Sequence, residues 1–470
     1  MHSRSGRGWG LETWLFAAAL VAGVLLRTFF VLHHPPLGGD ALLYGDLAHN
    51  ILSHHIYGFT EDERIRSTLI RLPGYPGFLA VCFILFGQLN FTAVLWVQVL
   101  MDVATCALLG SLASRLAGKR AGLITVWLAA LCPFTALYSA VALSECGCLF
   151  GVALTLFAMD RWMTVYREEG EGMGWAALTG AALIWGILLR PDQALLAMTV
   201  VPTMLWIGLS NWRAGLMKRL APAILASFII AAPLGLWAMR NWHTFHVFQP
   251  LAPRYANDPG EANPYGFQRW YRTWAIDFKA TADLYWTYDG SNINLKDLPP
   301  RAFDNDAQRA ETAKLYAEYA AAGASTPQLD AEFARLAAER VAGHPVRYYA
   351  LLPTARMLDM WLRPRTEWTK IPLDWWNFSA HWSGSFKALG YAALNAIYLL
   401  LAVAGLWKWS RAGWWNETAP LAVAMLLFVL LRCVLLMTLD NAEQRYTLEC
   451  FPVVFLLAGM AWMKRDREIS

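Results

Sequence analysis

One short segment near the N-terminus combines the acidic, basic and aromatic residues that group transfer to a nucleophile requires. Asp40 is followed one helical turn later by Tyr44, and Arg71 and Tyr75 come next in an Arg-Leu-Pro-Gly-Tyr-Pro sequence. A carboxylate can act as general base towards a hydroxyl or an amine. A guanidinium can bind a phosphate through charge-assisted hydrogen bonds, often in pairs. The alternative is a solvated loop of mixed charge in which Asp40 is a helix N-cap.

Four further polar residues lie at the edges of long apolar runs: Glu145, Arg190, Arg240 and Arg445. The arginines also have ordinary structural alternatives. Arg190 could extend its charge to a membrane surface, and Arg240 could be a charge at a helix end. Arg445 could pair with Glu443 or Glu449. The sequence alone leaves both the functional and the structural interpretation open for each arginine.

The overall composition indicates which elements position these residues. Hydrophobic residues make up 57% of the 470-residue chain, charged residues make up 16%, and the mean hydropathy is +0.34. Soluble domains average about 25% charged residues, so this chain could not cover its apolar surface in water. The same composition excludes a disordered chain, and no short repeat is visible. The sequence therefore predicts an all-α integral membrane protein.

Ten apolar runs reach the length of about 20 residues that a spanning helix needs. They are residues 11–32, 91–113, 121–143, 145–166, 173–190, 192–209, 219–239, 386–408, 417–438 and 446–463. A further apolar run, 73–87, is shorter and contains two prolines near its start. We expect it to be a re-entrant or surface-lying helix.

The basic residues set the predicted orientation, because cytoplasmic loops are rich in Lys and Arg. Ten spans place all of the basic clusters on one face: Arg4/Arg7, Arg115/Lys119/Arg120, Arg161/Arg167, Arg213/Lys218/Arg219, Lys408/Arg411 and Lys464/Arg465/Arg467. Both termini are therefore expected in the cytoplasm. The net charge of +4 follows this topology pattern and does not indicate nucleic-acid binding.

The predicted topology gives three parts. Residues 1–239 form a transmembrane module whose first outer loop, 33–90, carries the catalytic segment, residues 240–385 form an external domain, and residues 386–470 return to the membrane. Helices are predicted over 306–322 and 328–342, the second one opened by Thr326-Pro327. Five tryptophans crowd the end of the external part: Trp361, Trp368, Trp375, Trp376 and Trp382. They could form an interfacial belt or stack on sugar or lipid.

Several motifs that would point elsewhere are absent or have simpler explanations. The sequence has no metalloprotease, nucleophile-elbow, dinucleotide or P-loop motif. Asp304-Asn305-Asp306 resembles a nucleotide-sugar motif but precedes a predicted helix, which favours capping. His54-His55 could bind a cation with Asp46 or Glu61, although no spacing requires it.

The buried polar and sulfur-containing residues are expected to have structural roles. The seven cysteines lie in or beside apolar runs, so a disulfide framework is not expected, and Cys146-Gly-Cys148 is interpreted as helix packing. Arg27, Asp102 and Arg432 lie within predicted spans and should each have an interior partner. Arg27 could alternatively face a lipid phosphate.

The order of the motifs resembles the membrane-embedded GT-C glycosyltransferases. Within them it resembles the bacterial branch of aminoarabinose–lipid A transferases, galacturonosyl transferases and protein O-mannosyltransferase-like proteins. The resemblance rests on Asp40, Tyr44 and Ala48 at four-residue steps, Asn50-Ile51-Leu52, Arg71-Leu72-Pro73-Gly74-Tyr75-Pro76, Pro133, Ser144-Glu145, Arg190-Pro191-Asp192, Met239-Arg240-Asn241-Trp242 and Glu443-Gln444-Arg445-Tyr446.

The resemblance implies a GT-C fold with about ten transmembrane helices and a mainly helical external domain. It implies transfer of a sugar from a polyprenyl-phosphate-linked donor to a lipid, glycan or protein acceptor at the outer face of the cytoplasmic membrane. Asp40 and Glu145 would be the catalytic residues, and the substrate-binding residues would be Tyr44, Arg71, Tyr75, Arg190, Arg240 and Arg445. No metal ligand is assigned. A divalent cation is left open, because Ser144-Glu145-Cys146 stands where relatives often carry Asp-x-Asp.

Other classes remain open at this point. A transporter or flippase for lipid-linked solutes would show inverted repeats and ionisable residues in mid-membrane, and the sequence has no convincing internal repeat. An O-antigen ligase or polymerase would also use polyprenyl-linked sugars. A family member that has lost activity would only bind the lipid-linked sugar.

Overall fold

The structure is a computed structural model of the chain. It describes residues 10–33, 35–170, 172–210, 215–288, 294–412 and 418–463. Three parts of the basic pattern lie outside the described residues, namely Arg4/Arg7, Arg213 and Lys464/Arg465/Arg467.

Helices form almost all of the regular structure, as predicted. They are α1 Leu11–Leu32, α2 Asp40–His54, α3 Gly74–Phe86, α4 Phe91–Ala117, α5 Lys119–Ala130, α6 Pro133–Tyr138, α7 Glu145–Glu169, α8 Met173–Leu189, α9 Ala194–Ser210, α10 Leu216–Phe245, α11 Tyr265–Arg272, α12 Phe278–Ala280, α13 Asp306–Ala322, α14 Pro327–Gly343, α15 Leu352–Leu362, α16 Phe378–Arg411, α17 Ala419–Thr438 and α18 Phe451–Met460. Short π-helices cover Thr281–Tyr285 and Arg347–Leu351, and 3-10 turns cover Pro191–Gln193, Leu295–Asp297, Pro300–Ala302 and Gln444–Cys450.

Within the described ranges, 7 helices are long and apolar enough to cross a membrane. They are α1, α4, α7, α9 with the turn before it, α10, α16 and α17. The all-α membrane fold is therefore confirmed, and the chain is a multi-pass membrane protein. The count of ten stays a prediction, because α8 has 17 residues and α18 has 10. The expected span 121–143 is also divided after Ala130, where Pro133 begins a new helix.

Helix α3 corresponds to the short apolar run 73–87. It has 13 residues, or about 20 Å at the α-helical rise, against about 30 Å for the hydrocarbon core. Its start is packed tightly on the end of α8, because a Cβ atom at Gly74 would lie 2.4 Å from the Leu188 carbonyl carbon. This length agrees with the expected re-entrant or surface position, which stays a prediction.

The segment between α1 and α4, which is predicted to be the first outer loop, contains a small sheet that the sequence did not indicate. Strand β1, Gly58–Glu61, pairs with strand β2, Arg64–Ser67, in antiparallel register. The two turn residues, Asp62 and Glu63, have φ values of 45° and 63°, which is the left-handed backbone that two-residue hairpin turns use. The loop therefore has a defined structure between α2 and α3.

The chain divides into two compact units, which are described separately. The first comprises Met1–Pro259, Ile397–Val429 and Leu448–Ser470, and the second comprises Gly260–Ala396 and Leu430–Thr447. The predicted boundaries at 239/240 and 385/386 do not coincide with this division, and the assignment of those three parts to distinct roles stays a prediction.

The second unit has an aromatic core between α11 and α14. Phe267, Trp270 and Tyr271 on α11 are buried together with Phe333 and Leu336 on α14. The backbones of the two helices lie close together, because a Cβ atom at residue 266 would meet the carbonyl oxygen of residue 330. The glycine at position 266 therefore permits the close packing of this core.

The caps that the sequence indicated for α13 and α14 are present. The Asn305 side chain accepts a hydrogen bond from the Gln308 N–H at 2.9 Å, and Thr326 accepts one from the Leu329 N–H at 3.2 Å. Both helix positions match the predictions to within one residue at each end. Asp304 forms an ion pair with Arg347. Asp304 and Asn305 therefore both have structural contacts in this segment.

The charged residues within spans have interior partners, as predicted. The fully buried Arg27 donates to Asp102 Oδ2 at 2.7 Å and to the Ala130 carbonyl oxygen at 2.7 Å. Arg432 donates through Nε to the Tyr446 carbonyl oxygen at 2.9 Å. The contacts of Arg27 explain its position in α1 without a lipid phosphate.

The cysteines have the predicted packing role. All seven lie in the described ranges and are free thiols, and Cys146 and Cys148 are fully buried at the start of α7. A Cβ atom on Gly147 between them would lie 2.7 Å from Leu189 Cδ1. The small residues at this position therefore let α7 approach the end of α8 closely.

Candidate functional site

The acidic residue at the start of α2 lies beside the arginine that follows the hairpin. Gly39, with φ of 54°, occupies the cap position, and Asp40 is the first helical residue. This corrects the alternative in which Asp40 is the N-cap. Arg71 Nη2 lies 3.0 Å from Asp40 Oδ1, and the two side chains are 24% and 27% exposed. A base and a cation thus share one partly open position.

Two buried tyrosines pack against each other near this ion pair. The rings of Tyr44 and Tyr75 meet edge to face with centroids 5.0 Å apart, and Tyr75 is 1% exposed. Tyr75 donates its hydroxyl proton to Gln98 Oε1 at 2.8 Å, and Gln98 donates to the Val141 carbonyl oxygen at 2.8 Å. This chain connects α2 and α3 to α4 and fixes the orientation of Tyr75. Sequence reasoning missed Gln98, although a buried amide in an apolar span is a recognisable signal.

The second part of the site is centred on Arg190. This arginine follows α8 in an extended backbone conformation. Its guanidinium lies 3.0 Å from Glu145 Oε1, 3.1 Å from Asp192 Oδ2 and 3.1 Å from Glu449 Oε1. The side chains of Glu145 and Glu449 are 1% and 0% exposed. One cation therefore holds three carboxylates in a largely buried cluster.

Sequence reasoning found only part of this cluster. Arg190 and Glu145 were both predicted as site residues, and Asp192 stands in the quoted Arg-Pro-Asp motif without an assigned role. Glu449 was considered only as a partner for Arg445, but its carboxylate contacts Arg190. A residue so distant in the chain offers no spacing signal for this contact.

Tyr44 lies within the electrostatic reach of both parts of the site. Burial raises the pKa of its hydroxyl, and the neighbouring Arg71 opposes that effect. Glu145 and Arg190 also act on it, with opposite signs. The Tyr44 hydroxyl therefore stays protonated at neutral pH and can donate a hydrogen bond.

Arg240 holds the segment between α2 and α3 in place. Its guanidinium donates to the Thr68 carbonyl oxygen at 2.7 Å and to the Tyr57 carbonyl oxygen at 2.8 Å. It also lies over the Trp237 ring at 5.1 Å. The Asp258 carboxylate adds a second attachment by accepting from the Leu69 N–H at 2.8 Å. These contacts give Arg240 a positioning role, and its predicted contact with substrate stays a prediction.

Arg445 belongs to the second unit. Its Nε atom lies 2.6 Å from Glu443 Oε2, and its guanidinium lies over the Tyr446 ring at 5.6 Å. The structural alternative in which Arg445 pairs with Glu443 is therefore confirmed. Its predicted role in substrate binding stays a prediction.

The acidic residues that could hold a metal ion have other partners. Asp46 accepts from the Thr60 N–H at 2.7 Å and from its hydroxyl at 2.8 Å, which attaches the hairpin to α2. Among the residues that the structure describes, no group of three or more His, Cys, Asp and Glu is arranged to hold a metal ion. Near Glu145, the guanidinium of Arg190 lies among the carboxylates of Glu145, Asp192 and Glu449. A cofactor is therefore left unassigned.

A known family profile covers the central part of this site. Residues 72–237 match the family described as dolichyl-phosphate-mannose-protein mannosyltransferase. This segment contains the Tyr75, Glu145 and Arg190 positions. No curated protein sequence matches the chain.

Solved structures share the fold at low sequence identity. The apo oligosaccharyltransferase from Archaeoglobus fulgidus is 12% identical with a TM-score of 0.52, and the alignment covers 98% of this chain and 51% of that one. The archaeal oligosaccharyltransferase AglB from the same organism, in complex with an inhibitory peptide and a dolichol-phosphate, is 13% identical with a TM-score of 0.50, covering 97% and 50%. ArnT from Cupriavidus metallidurans bound to undecaprenyl phosphate is 14% identical and covers 97% and 78%, but its TM-score of 0.39 is too low to inform the site.

The chain spans about half the length of the archaeal oligosaccharyltransferase that it resembles. The shared part includes 98% of this chain, and the matched family segment lies inside it. The chain therefore shares the fold of the archaeal oligosaccharyltransferase, and its residues 72–237 match the mannosyltransferase family.

Proposed function

We propose that this protein transfers a sugar from a polyprenyl-phosphate carrier to a hydroxyl or amine on a lipid, glycan or protein acceptor. The observation that carries the proposal is the Asp40–Arg71 pair, a base and a phosphate-binding cation within 3.0 Å at a partly exposed position. The matched family and the bound dolichol-phosphate of the archaeal relative support a donor of this chemical class.

The two residues have complementary tasks in the proposed reaction. The acceptor oxygen or nitrogen forms a bond to the anomeric carbon while the bond from that carbon to the carrier phosphate oxygen breaks. Asp40 takes the acceptor proton, and Arg71 stabilises the negative charge that develops on the leaving phosphate. Holding donor and acceptor together at this position removes much of the entropic barrier.

The ion pair also suggests how donor binding prepares the base. Without substrate, Arg71 neutralises Asp40 at 3.0 Å. A carrier phosphate is a competing anion for the same guanidinium, and it can form bidentate hydrogen bonds with it. Moving Arg71 towards the phosphate leaves the Asp40 carboxylate less neutralised and therefore more basic.

Glu145, the second predicted catalytic residue, acts in this proposal through Arg190. Its buried carboxylate and that of Glu449 fix the guanidinium from two sides. Tyr44, which both charged groups influence, can then donate a hydrogen bond to the sugar or the phosphate. Arg190 and Tyr44 are thus proposed as positioning and binding groups rather than as proton acceptors.

The test is turnover by Asp40→Asn in purified, reconstituted protein with a panel of polyprenyl-phosphate sugars. The amide keeps the shape of the side chain but cannot accept the proton, so we expect a fall of about 10²–10⁴-fold. Binding of the donor should persist. Asp62→Asn, in the exposed hairpin turn, is the matched control and should retain full turnover.

Three outcomes would count against the proposal. Near-normal turnover by folded Asp40→Asn would remove the base. Movement of intact carrier-linked sugar across the bilayer without cleavage would favour the transporter or flippase. Joining of two carrier-linked saccharides would favour a ligase or polymerase of the O-antigen type.

The orientation in the membrane is part of the same proposal. We infer an inner (cytoplasmic) membrane protein with both termini in the cytoplasm, supported by the sidedness of the basic clusters. Reporter fusions or cysteine-accessibility mapping at Gly118, Gln308 and Ala412 should find only Gln308 external. Asn211, a further mapping site, lies outside the described residues and should be internal. An external Gly118 would mean that α3 crosses the membrane.

The external part 240–385 is proposed to select the acceptor. It is long enough for a separate domain, and its described helices form an aromatic core of their own. Exchanging 250–380 for the corresponding segment of a relative should change acceptor preference while donor binding persists. Loss of donor binding with unchanged acceptor use would reverse this assignment.

A further inference from the structure

The buried Arg356 on α15 has an incomplete set of hydrogen-bond partners. The residue is 1% exposed, and its Nη1 atom donates to the Arg272 and Ala275 carbonyl oxygens at 3.1 Å each. Among the residues that the structure describes, none accepts a hydrogen bond from Nε or Nη2 of Arg356. Burying a charged group without partners is costly, so these two N–H donors require an explanation.

Arg340 on α14 shows how the same unit satisfies a buried guanidinium. This residue is 2% exposed. Its Nε atom donates to Thr273 Oγ1 at 2.8 Å, and its Nη1 atom donates to Gln308 Oε1 at 2.9 Å. The remaining nitrogen, Nη2, donates to the Arg301 carbonyl oxygen at 3.1 Å. Every guanidinium nitrogen of Arg340 therefore has a protein partner, whereas only one nitrogen of Arg356 does.

The charges around Arg356 do not balance. Asp440, which is 5% exposed, pairs with Arg272 at a distance of 3.1 Å between Oδ1 and Nε. Within the described part of the chain, Arg356 itself forms no ion pair. Burial and the neighbouring Arg272 lower the pKa of Arg356 to about 10, so its guanidinium remains charged at neutral pH. Two guanidiniums thus share one carboxylate, and one positive charge is not compensated.

The unpartnered atoms of Arg356 are suited to an oxyanion. Nε and Nη2 lie on one edge of the planar guanidinium, where two parallel N–H bonds match two oxygens of a phosphate or a carboxylate. Arg272 provides a second cation next to this edge, and its side chain is 23% exposed. The Arg272 guanidinium also lies 5.8 Å from the ring centre of Tyr348. A deeply buried pair of donors therefore adjoins an arginine that reaches the surface.

We propose that Arg356 and Arg272 form a binding site for an oxyanion, such as the phosphate group of a lipid headgroup or of a soluble compound. Nε and Nη2 of Arg356 bind two oxygens of the anion, and Arg272 adds a second positive charge on the more exposed side. The bound anion compensates the excess charge of the cluster. The site lies within the second unit and is independent of the chemistry proposed for Asp40.

The experiment measures binding of radiolabelled inorganic phosphate to purified full-length protein by equilibrium dialysis. All variants carry Arg71→Ala, so that the carrier-phosphate site proposed beside Asp40 does not contribute. Arg356→Met should raise the dissociation constant by about 10–100-fold, the range for loss of hydrogen bonds to a charged group. Arg356→Lys keeps the charge but loses the planar edge, so its dissociation constant should rise less. Arg272→Gln should also weaken binding.

The matched control is Arg340→Lys, which makes the same replacement at a buried arginine whose nitrogens all have partners. Phosphate binding should be unchanged in this variant. Unchanged binding in folded Arg356→Lys and Arg356→Met would overturn the proposal, because water would then satisfy the two donors. Equal losses in Arg356→Lys and Arg340→Lys would also overturn it, since they would reflect a general disturbance of the unit.

The source of the phosphate group is identified by competition in vesicles. Protein is reconstituted in phosphatidylcholine that contains either phosphatidic acid or phosphatidylglycerol at equal surface charge. Weaker binding of inorganic phosphate with phosphatidic acid than with phosphatidylglycerol would identify a lipid phosphate as the occupant. Equal binding in the two preparations would identify a soluble phosphate compound. Absence of phosphate binding in both, and in detergent, would overturn the site.

Discussion

Asp40 and Arg71, which are 31 positions apart in the chain, form an ion pair with a distance of 3.0 Å between Oδ1 and Nη2. The hairpin between them and its attachments to Asp46 and Arg240 bring the two side chains together. Each is about a quarter exposed, and partly exposed ion pairs contribute only about 0–1 kcal/mol. A substrate anion can therefore separate the two residues at little cost.

The first prediction is that Arg71→Ala weakens binding of the lipid-linked donor. A hydrogen bond to a charged group contributes about 1.5–3 kcal/mol, so the dissociation constant should rise by about 10–100-fold. Arg71→Lys keeps the charge but loses the planar guanidinium, so its dissociation constant should lie between those of the wild type and Arg71→Ala. Equilibrium binding of a polyprenyl phosphate measures the effect.

The matched control for this prediction is Arg64→Ala. Arg64 belongs to the same loop and is exposed on β2, so its replacement should leave donor binding unchanged. An equal loss in both variants would indicate a general electrostatic attraction to the loop and would contradict a specific contact with Arg71.

The second prediction concerns the Arg190 cluster. Arg190→Ala removes the cation between the buried carboxylates of Glu145 and Glu449. Removing one partner of a buried ion pair typically destabilises a protein by about 3–5 kcal/mol. Thermal unfolding in detergent should show a clear fall in Tm. The control is Lys119→Ala, which breaks an exposed pair with Glu12 and should change Tm very little. Similar small shifts in both variants would contradict the structural role of Arg190.

The third prediction is a double-mutant cycle within the membrane. Arg27→Leu leaves Asp102 buried without its 2.7 Å partner and should cost about 3–5 kcal/mol. The double replacement Arg27→Leu with Asp102→Leu removes both charges and should be less destabilised than either single variant. Additive losses of Tm in the double variant would show that the two side chains do not depend on one another.

Local sequence signals predicted the elements whose determinants are close together in the chain. The caps Asn305 and Thr326 predicted the starts of α13 and α14 to within one residue. Asp40 and Tyr44, which stand at helical spacing in the sequence, both lie on α2. Capping is a contact between neighbours three positions apart, so it can be recognised in a single sequence.

Other features depended on contacts that no local signal reveals. The hairpin was missed because its strands have four residues each and its turn, Asp62-Glu63, lacks the glycine that usually marks such a turn. Glu449 was missed because only the folded structure brings it to Arg190. The count of ten spans stays a prediction, because the apolar run 121–143 is divided in the structure, with a new helix beginning at Pro133.

The last prediction is a pH dependence of stability that originates at Asp359. Burial, partly opposed by Arg363 at 3.9 Å, raises the pKa of this carboxyl to about 7. The unfolded value is about 3.9, so the folded state binds the proton more tightly. The stabilising contribution of the protonated form is complete below about pH 4, and it is lost as the pH rises through about 7, by at most about 1.4 kcal/mol per pH unit.

Asp359→Asn does not titrate and should gain stability relative to the wild type as the pH rises from about 4 to about 7. Tm values of both proteins across this range measure the difference, with Asp62→Asn as an exposed control whose curve should remain parallel to the wild type. Parallel curves for Asp359→Asn as well would show that this carboxyl is not held in its protonated form, because a raised pKa in the folded state requires the two curves to diverge.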